Sequence, residues 1–193
     1  MLNCKVGDFV EFGKYPVDNS EKIRWLVLEV KGGKALLLSE KAVDCRKYHN
    51  TKEDVTWKTC DLRGWLNKEF LANAFDDQEF VAIQMVTVSA DRNPEHRSDP
   101  GQATQDKVFL LSIAEVNRYF SDNESRQCEP SETAIANGAY ISEEGRCWWW
   151  LRTAGYRQDT AAFVRGGGSV SESGDDVEDV IFAVRPAIYV NIN

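Results

Sequence analysis

The chain has 193 residues, of which 42% are hydrophobic and 28% charged, and its formal net charge is −8. These values are typical of a folded protein with one domain. Acidic residues outnumber basic ones by 31 to 23, which argues against a nucleic-acid partner, because proteins that follow a phosphate backbone carry a basic face. No apolar run approaches the ~18 residues of a membrane-spanning helix. Five cysteines without a CxxC pair indicate free thiols rather than a zinc site or a disulfide framework.

The first forty residues predict β-structure. Residues 6–12 and 23–30 are rich in Val, Ile, Phe and Trp, which are the residue types that favour strands. Gly32-Gly33 separates the second run from another apolar run at residues 34–39. Two apolar runs divided by a glycine pair predict a hairpin.

A helix is predicted over residues 61–70. Four apolar side chains recur there at the spacing of one helix face: Leu62, Trp65, Leu66 and Phe70. We expect Asp61 or Thr59 to cap its start. The carboxylates of residues 76–79 predict the beginning of a second short helix, because negative charge is favourable at a helix N-terminus.

The middle of the chain predicts a long surface loop followed by short elements. Residues 89–107 are polar and contain Pro and Gly, which is typical of a loop. Residues 108–111 predict a short buried strand. Ser112 and Glu115 have the spacing of a capping box, so a helix is expected to follow. Residues 130–138 predict a short helix with an early Pro and a closing Gly.

The last third predicts strands separated by glycine-rich and acidic turns. The strand candidates are residues 147–152, 161–164 and 182–190. Pro186 lies inside the last of them, which indicates an edge position or a bulge. Gly166–Gly168 predicts a hairpin turn, because no Lys and Ser/Thr follow as in a phosphate loop. Residues 172–179 contain five acids and no base and predict a solvated charged loop. The whole pattern indicates an α+β fold.

No catalytic or metal-binding constellation emerges from the residues. His49 and His96 lie in polar segments beside charges, so both are predicted to be solvated loop histidines rather than catalytic bases. Cys60 and Cys147 have no neighbouring His to form a thiolate and are predicted to be structural. The acidic cluster lacks EF-hand spacing. We therefore expect no catalytic residue, no metal and no cofactor.

Three consecutive tryptophans, Trp148, Trp149 and Trp150, begin the last third. In a strand, Trp148 and Trp150 would point to one face and Trp149 to the other. The sequence leaves two interpretations open: core packing with one half-exposed ring, or an aromatic platform for a ligand.

Seven short blocks resemble an uncharacterised bacterial domain family. They are FVEFGKYP at 9–16, IRWLVL at 23–28, TW at 56–57, LRGWLN at 62–67, FLLS at 109–112, WWLR at 149–152 and VRPA at 184–187. The ending, in which WWLR, a glycine- and serine-rich region and VRPA follow one another, is similar to that of C-type lectin-like domains. Two groups share it: the formylglycine-generating enzyme with its non-enzymatic relatives, and the variable proteins of diversity-generating retroelements.

The resemblance implies a C-type lectin-like α+β domain with mixed antiparallel sheets and two or three short helices. One domain would span residues 1–193, with 1–146 as scaffold and 147–193 as terminal strands that carry a variable display region at 153–182. Rigid strands with changeable polar and aromatic side chains between them suit a binding surface. The residues predicted to contact a ligand are Trp149, Tyr156, Arg157, Asp159, Thr160, Phe163, Arg165, Ser171, Glu172, Ser173, Asp175, Asp176, Glu178 and Asp179.

The resemblance leaves three functions open. The first is a non-enzymatic module that binds a protein or a glycan. The second is a copper-dependent enzyme of the formylglycine-generating type, which uses a Cys pair near its C-terminal end; here no Cys follows Cys147, and this departure argues against that activity. The third is a structural or assembly module of a phage or surface particle.

The sequence leaves the oligomeric state open. The first residues lack an apolar signal segment, so a cytoplasmic location is expected, with the cell surface or a virion reached only by another route. No insertion into a membrane is expected.

Overall fold

The computed structural model of the chain describes residues 3–16 and 22–192. Its strands in chain order are β1 (Phe9–Lys14), β2 (Lys22–Lys31), β3 (Lys34–Ser39), β4 (Asp44–Cys45), β5 (Val86–Val88), β6 (Thr104–Asp106), β7 (Val108–Phe109), β8 (Trp149–Ala154), β9 (Thr160–Val164), β10 (Val170–Asp176), β11 (Ala183–Val184) and β12 (Ala187–Asn191). The helices are α1 (Asp61–Trp65), which continues through a π-helical turn (Leu66–Phe70) into α2 (Leu71–Ala74), and then α3 (Asp77–Ala82), α4 (Ile113–Tyr119), α5 (Asn123–Arg126) and α6 (Glu132–Ala136).

The fold is α+β, as predicted, and its strands are mostly antiparallel. The first sheet has the order β1-β2-β3-β12-β7, the second has the order β10-β9-β8-β11-β4, and β5 pairs with β6. Among the described strands, β8 and β11 form the one parallel pair. Within the same residues, no helix is long and apolar enough to cross a bilayer.

Five helical regions form, where the resemblance implies two or three. The additional regions are short, and side-chain caps stabilise them. Asp76 and Glu79 form a capping box at α3, Asp122 caps α5 and Ser131 caps α6. The capping box predicted for Ser112 and Glu115 is confirmed at α4.

The cap predicted for the first helix is wrong. Cys60 occupies the N-cap position and makes no side-chain cap bond. Thr59 is already engaged, because its Oγ1 accepts a hydrogen bond from the backbone N–H of Thr56 at 3.0 Å. The carboxylate of Asp61 accepts from the backbone N–H of Asn50 at 2.9 Å.

The hydrophobic core draws on both large sheets. Trp25 and Leu37 of the first sheet, Trp150 of the second sheet and Phe70 of the π-helical turn are all fully buried in one cluster. Trp148 and Trp150 lie on one face, where both rings pack against Phe182. The predicted alternation of the tryptophans is therefore confirmed.

Two predictions about the last third are wrong. Part of the acidic segment is strand β10, because its backbone pairs with β9, with Asp176 opposite Thr160. The apolar segment 182–190 forms two strands rather than one, since β11 belongs to the second sheet and β12 to the first. The break falls at Arg185-Pro186, where proline removes a backbone donor.

Candidate ligand-binding surface

The connection between β8 and β9 forms a tight tip at residues 155–159. Thr160 fixes its shape: the hydroxyl donates to the carbonyl O of Arg157 at 2.8 Å and accepts from the Arg157 N–H at 3.1 Å. Gly155 lies so close to β10 that a Cβ would overlap the carbonyl O of Ser173. The tip is therefore defined by its own hydrogen bonds and by close contact with β10.

A polar loop supports the tip from one side. The buried side chain of Asn93 donates to the carbonyl O of Ala154 at 2.8 Å and of Glu172 at 2.7 Å, so it joins β8 to β10. Its own carbonyl oxygen accepts from the backbone N–H of His96 at 3.2 Å. The hydroxyl of Ser98 donates to the carbonyl O of Gly155 at 2.7 Å. These bonds hold the loop and the hairpin in one geometry.

Gln158 ties the tip to a second loop. Its side-chain amide donates to the carbonyl O of Val55 at 2.7 Å and of Asp99 at 3.1 Å, and its oxygen accepts from the Asp99 N–H at 2.8 Å. The side chain of Gln158 is thus used in full to anchor the tip. It orients the neighbouring side chains and is not available for a ligand.

Tyr156 is the exposed aromatic residue of this tip, with 48% of its surface accessible. The guanidinium carbon of Arg157 lies 4.8 Å from the centre of its ring, and the ring of His96 approaches edge-on at 6.2 Å. His96 Nε2 lies 3.5 Å from the hydroxyl of Ser173. We call this group the tip surface and define it by Tyr156, Arg157, Asp159, Ser173, Asp176 and His96.

The charges of the tip surface are paired. Arg157 contacts Asp159 at 2.8 Å and Asp176 at 2.9 Å, and Lys52 contacts Asp176 at 2.6 Å. The hydrogen bond from Lys52 is the main reason why the pKa of Asp176 lies below its usual value. These ion pairs leave the surface close to electrical neutrality.

Four of the predicted contact residues are buried instead: Trp149, Thr160, Phe163 and Ser171. Trp149 lies on the inner face of β8, with the guanidinium carbon of Arg185 5.0 Å from its ring. Phe163 packs between Trp148 and Phe182. Trp149 and Phe163 belong to the hydrophobic core, whereas the buried hydroxyls of Thr160 and Ser171 are used in hydrogen bonds with Arg157 and Arg165.

Arg165 lies at the opposite end of β9, about 17 Å from the tip for five extended residues. It contacts the hydroxyl of Ser171 at 3.1 Å. Glu172 is half-buried, and its carbonyl accepts the bond from Asn93. Neither Arg165 nor Ser171 is brought to the tip surface.

The remaining acids are Asp175 near the end of β10 and Glu178 and Asp179 in the acidic turn that follows it, and all three are half-buried rather than solvated. Burial, followed by the neighbouring charge of Asp175, raises the pKa of Asp179. The turn is held by a bond from the His49 N–H to the carbonyl O of Val177 at 2.8 Å. Across residues 3–16 and 22–192, no three His, Cys, Asp or Glu side chains are grouped to hold a metal ion.

The two histidines differ from the prediction in different ways. The His49 side chain is only 12% exposed and lies between Glu53 at 2.7 Å and Asp61 at 3.0 Å. His96 is part of the tip surface. Sequence reasoning did not assign it to the site, nor did it assign the supporting residues Lys52, Asn93, Ser98 and Gln158. Asn93-Pro94 was a turn signal, but nothing local indicated which strand the turn would meet.

A separate open cleft of about 570 Å³ lies beside α1 and the acidic turn. The guanidinium carbon of Arg46 lies 4.1 Å above the ring of Trp65 there. Lys47, Lys68 and Glu69 line its walls. Charges of both signs therefore line the cleft.

Two free cysteines, Cys128 and Cys147, lie close together in the core. Cys147 donates its thiol to the carbonyl O of Cys128 at 3.3 Å, and the two residues are 0% and 2% exposed. A metal that activates a substrate needs an open coordination position. These buried thiols therefore do not fit an oxygen-activating copper centre.

One comparison with known proteins gives a match. Residues 32–192 match the model of a family described as a domain of unknown function, DUF6273. Neither a curated protein nor a solved structure matches the chain. The matched region begins at the turn between β2 and β3 and includes the tip surface.

Proposed function

We propose that this chain, which belongs to the DUF6273 domain family, is a non-enzymatic binding module that presents its tip surface to a protein or glycan partner. The observation that carries the proposal is the exposed ring of Tyr156, flanked by Arg157 and His96 on a hairpin tip. Tyr and Arg are enriched among the residues that dominate binding energy. Tyr also supplies contact area at a low cost in conformational entropy.

The support beneath the tip strengthens the proposal. Asn93, Ser98 and Gln158 use their side chains to hold the tip backbone. A surface that is already ordered loses little entropy when a partner binds. The three supporting side chains thus make the tip rigid, while Tyr156 and Arg157 would contact the partner.

The charges of the region indicate which partners it would accept. Arg157 and Lys52 are paired with acids, so their charges cancel. Three further acids follow at the end of β10 and in the turn after it, Asp175, Glu178 and Asp179, and they make the region acidic. An acidic surface repels nucleic acid and anionic membranes and favours polar or basic partners. A glycan or a polar protein surface meets these conditions.

We also propose that the chain has a C-type lectin-like fold in one domain over residues 1–193, as in the variable proteins of diversity-generating retroelements. The pairing of β12 with β3 supports this fold, because it brings a late strand beside an early one. A reverse transcriptase gene and a near-copy of the 150–190 coding region, differing at adenines, are expected beside the gene. A neighbourhood without them in several genomes would contradict the retroelement assignment.

The binding proposal is tested by applying the labelled protein to a glycan array and to a protein array. Tyr156→Ala with Arg157→Ala is expected to weaken binding of the authentic ligand by about thirtyfold, equivalent to ~2 kcal/mol. Phe80→Ala is the matched control, because Phe80 is a 41% exposed ring with Lys107 4.0 Å above it at a distant site. A ligand bound equally by all three proteins would contradict the proposal.

Sedimentation distinguishes the binding module from the alternative of a structural or assembly module. If the region packs against other copies of the chain, the wild-type protein sediments as an oligomer and the double variant as a smaller species. If the tip surface binds a partner, wild type and variant sediment alike in the absence of ligand.

A further inference from the structure

A pocket of about 350 Å³ lies between β1, β2 and the segment that follows α5. Its charged lining residues are Arg24, Lys41, Arg146, Arg185, Glu40 and Glu129. Bases outnumber acids by two in this pocket, although the chain as a whole carries a net charge of −8. The local excess of positive charge is therefore opposite in sign to that of the molecule.

Both acids of the pocket form ion pairs with bases at its rim. Glu40 contacts Arg24 at 2.8 Å, and Glu129 contacts Arg146 and, at 3.9 Å, Lys41. Arg185 is only 4% exposed. Among the residues that the structure describes, no carboxylate lies within 4.0 Å of its guanidinium. The most buried base of the pocket is thus the one without an acidic partner.

Backbone carbonyls and aromatic rings surround Arg185. Its Nε donates to the carbonyl O of Ser39 at 2.9 Å and its Nη1 to that of Arg126 at 3.3 Å. The rings of Trp149 and Phe120 lie 5.0 and 5.9 Å from the guanidinium carbon. Neutral carbonyls and ring faces offset only part of the cost of burying a full charge.

Two residues that contact Arg185 each carry a polar side-chain atom without a partner. In the described ranges, two buried side-chain atoms lack a hydrogen-bond partner: Ser39 Oγ and Arg126 Nε. They belong to the two residues whose carbonyls hold Arg185. Unsatisfied buried groups are rare in folded proteins and call for a physical explanation. The buried surroundings of Arg185 therefore contain unsatisfied polar groups as well as a charge without an acidic partner.

Arg185 also acts on a neighbouring thiol. Burial raises the pKa of Cys128, but the hydrogen bond with Cys147 and the positive charge of Arg185 outweigh it and bring that pKa to about 7. The guanidinium of Arg185 is thus close enough to the thiol of Cys128 for its positive charge to favour the thiolate.

We propose that this pocket binds a small molecule through a carboxylate or phosphate group that pairs with Arg185. The planar guanidinium fork suits both oxyanions, and the volume falls within the range of small-molecule sites. Phe9 and Leu26 also line the pocket and would contact an apolar part of the ligand. The site shares no residue with the tip surface, so the two proposals can fail independently.

The test is an NMR titration of the full chain with sodium acetate and with sodium phosphate, against sodium chloride at equal ionic strength. We expect saturable shifts of the amide signals of Ser125 and Gln127, which line the pocket, with at least one of the two oxyanions and none with chloride. Comparison of the two salts separates a carboxylate site from a phosphate site. Absence of saturable shifts with both salts would overturn the proposal.

Two variants make the test specific. Arg185→Met should abolish the shifts, and the fold should persist, because replacing an unpaired buried charge with an apolar side chain is often neutral or stabilising. Glu129→Gln should tighten oxyanion binding about threefold by removing a negative charge at the rim. Asp77→Asn changes the net charge equally at exposed α3 and should leave the affinity unchanged.

Unchanged binding by folded Arg185→Met would overturn the proposal. If Arg185→Met does not fold, the comparison of Glu129→Gln with Asp77→Asn decides. Equal affinities of these two variants for the oxyanion would then refute a site in this pocket.

Discussion

At the scale of single residues, Cys128 couples stability to pH. Its thiol has a pKa of about 7 in the fold against 9.0 for an ordinary cysteine. Between these two values the unfolded chain binds more protons than the folded chain, so the free energy of unfolding rises with pH. The contribution is present above pH 9 and is lost as the pH falls through about 7, below which both states are protonated.

Urea unfolding at pH 7, 8 and 9 measures this effect. Cys128→Ser should remove the rise, because serine does not titrate in this range. Cys60→Ser is the control, since burial raises the pKa of the Cys60 thiol to about 12 and the Cys128 contribution remains. Above pH 9 the thiol of Cys128 adds no further rise in the free energy of unfolding. The pKa of Cys147 lies higher, because the hydrogen bond with Cys128 and burial raise it. Parallel pH profiles of wild type and Cys128→Ser would contradict the assignment.

The exposure of candidate site residues could be predicted where the local sequence decides it. Tyr156 and Arg157 lie in a turn between two strands, so their accessibility follows from their position in the chain. Phe163 and Ser171 are buried, because strand pairing and packing decide which alternate residue faces the core. Asn93 reaches its partners across more than sixty residues of sequence, and no local pattern contains that contact.

At the scale of elements, local signals gave the right structure where the chain needs no distant partner. The strand Lys34–Ser39 and the capping box at Ser112 have the predicted positions. The acidic strand β10 was not predicted, because Asp and Glu are depleted in strands and the pairing with β9 overrides that preference. Pro186 was predicted to mark an edge position or a bulge within one strand, whereas the sheet topology places it between a strand of one sheet and a strand of the other.

The β9–β10 turn gives a prediction at this scale. Gly168 has a φ of +85°, and a Cβ there would overlap the backbone carbonyl of Asn123 at the start of α5. Gly168→Ala therefore imposes both a left-handed backbone on an L-residue and a backbone clash, and should destabilise the fold by at least ~2 kcal/mol. Thermal or urea unfolding measures the loss.

The neighbouring glycine is the matched control for that turn. A Cβ at Gly167 meets no atom within 4 Å, and its φ lies outside the left-handed range. Gly167→Ala should leave the free energy of unfolding within about 0.5 kcal/mol of wild type. Equal effects of the two substitutions would show that the turn does not dock on α5 in solution.

At the scale of the whole molecule, the final strands join the two large sheets. β11 pairs with β8 and β4 in the second sheet, and after Arg185-Pro186 the chain enters the first sheet as β12, between β3 and β7. Buried residues of both sheets belong to one cluster. Since the sheets share a core and a short covalent connection, they should unfold as one cooperative unit.

Ile188→Ala tests this coupling. Ile188 is fully buried in β12, opposite Leu37 and Val108, so its truncation should cost about 2–5 kcal/mol. If the molecule unfolds as one unit, the slowest-exchanging amides of β9 in the other sheet lose as much hydrogen-exchange protection as those of β3. Val81→Ala, at a 74% exposed position, should change neither. Loss of protection confined to the first sheet would mean that the second sheet, which carries the tip surface, is stable by itself.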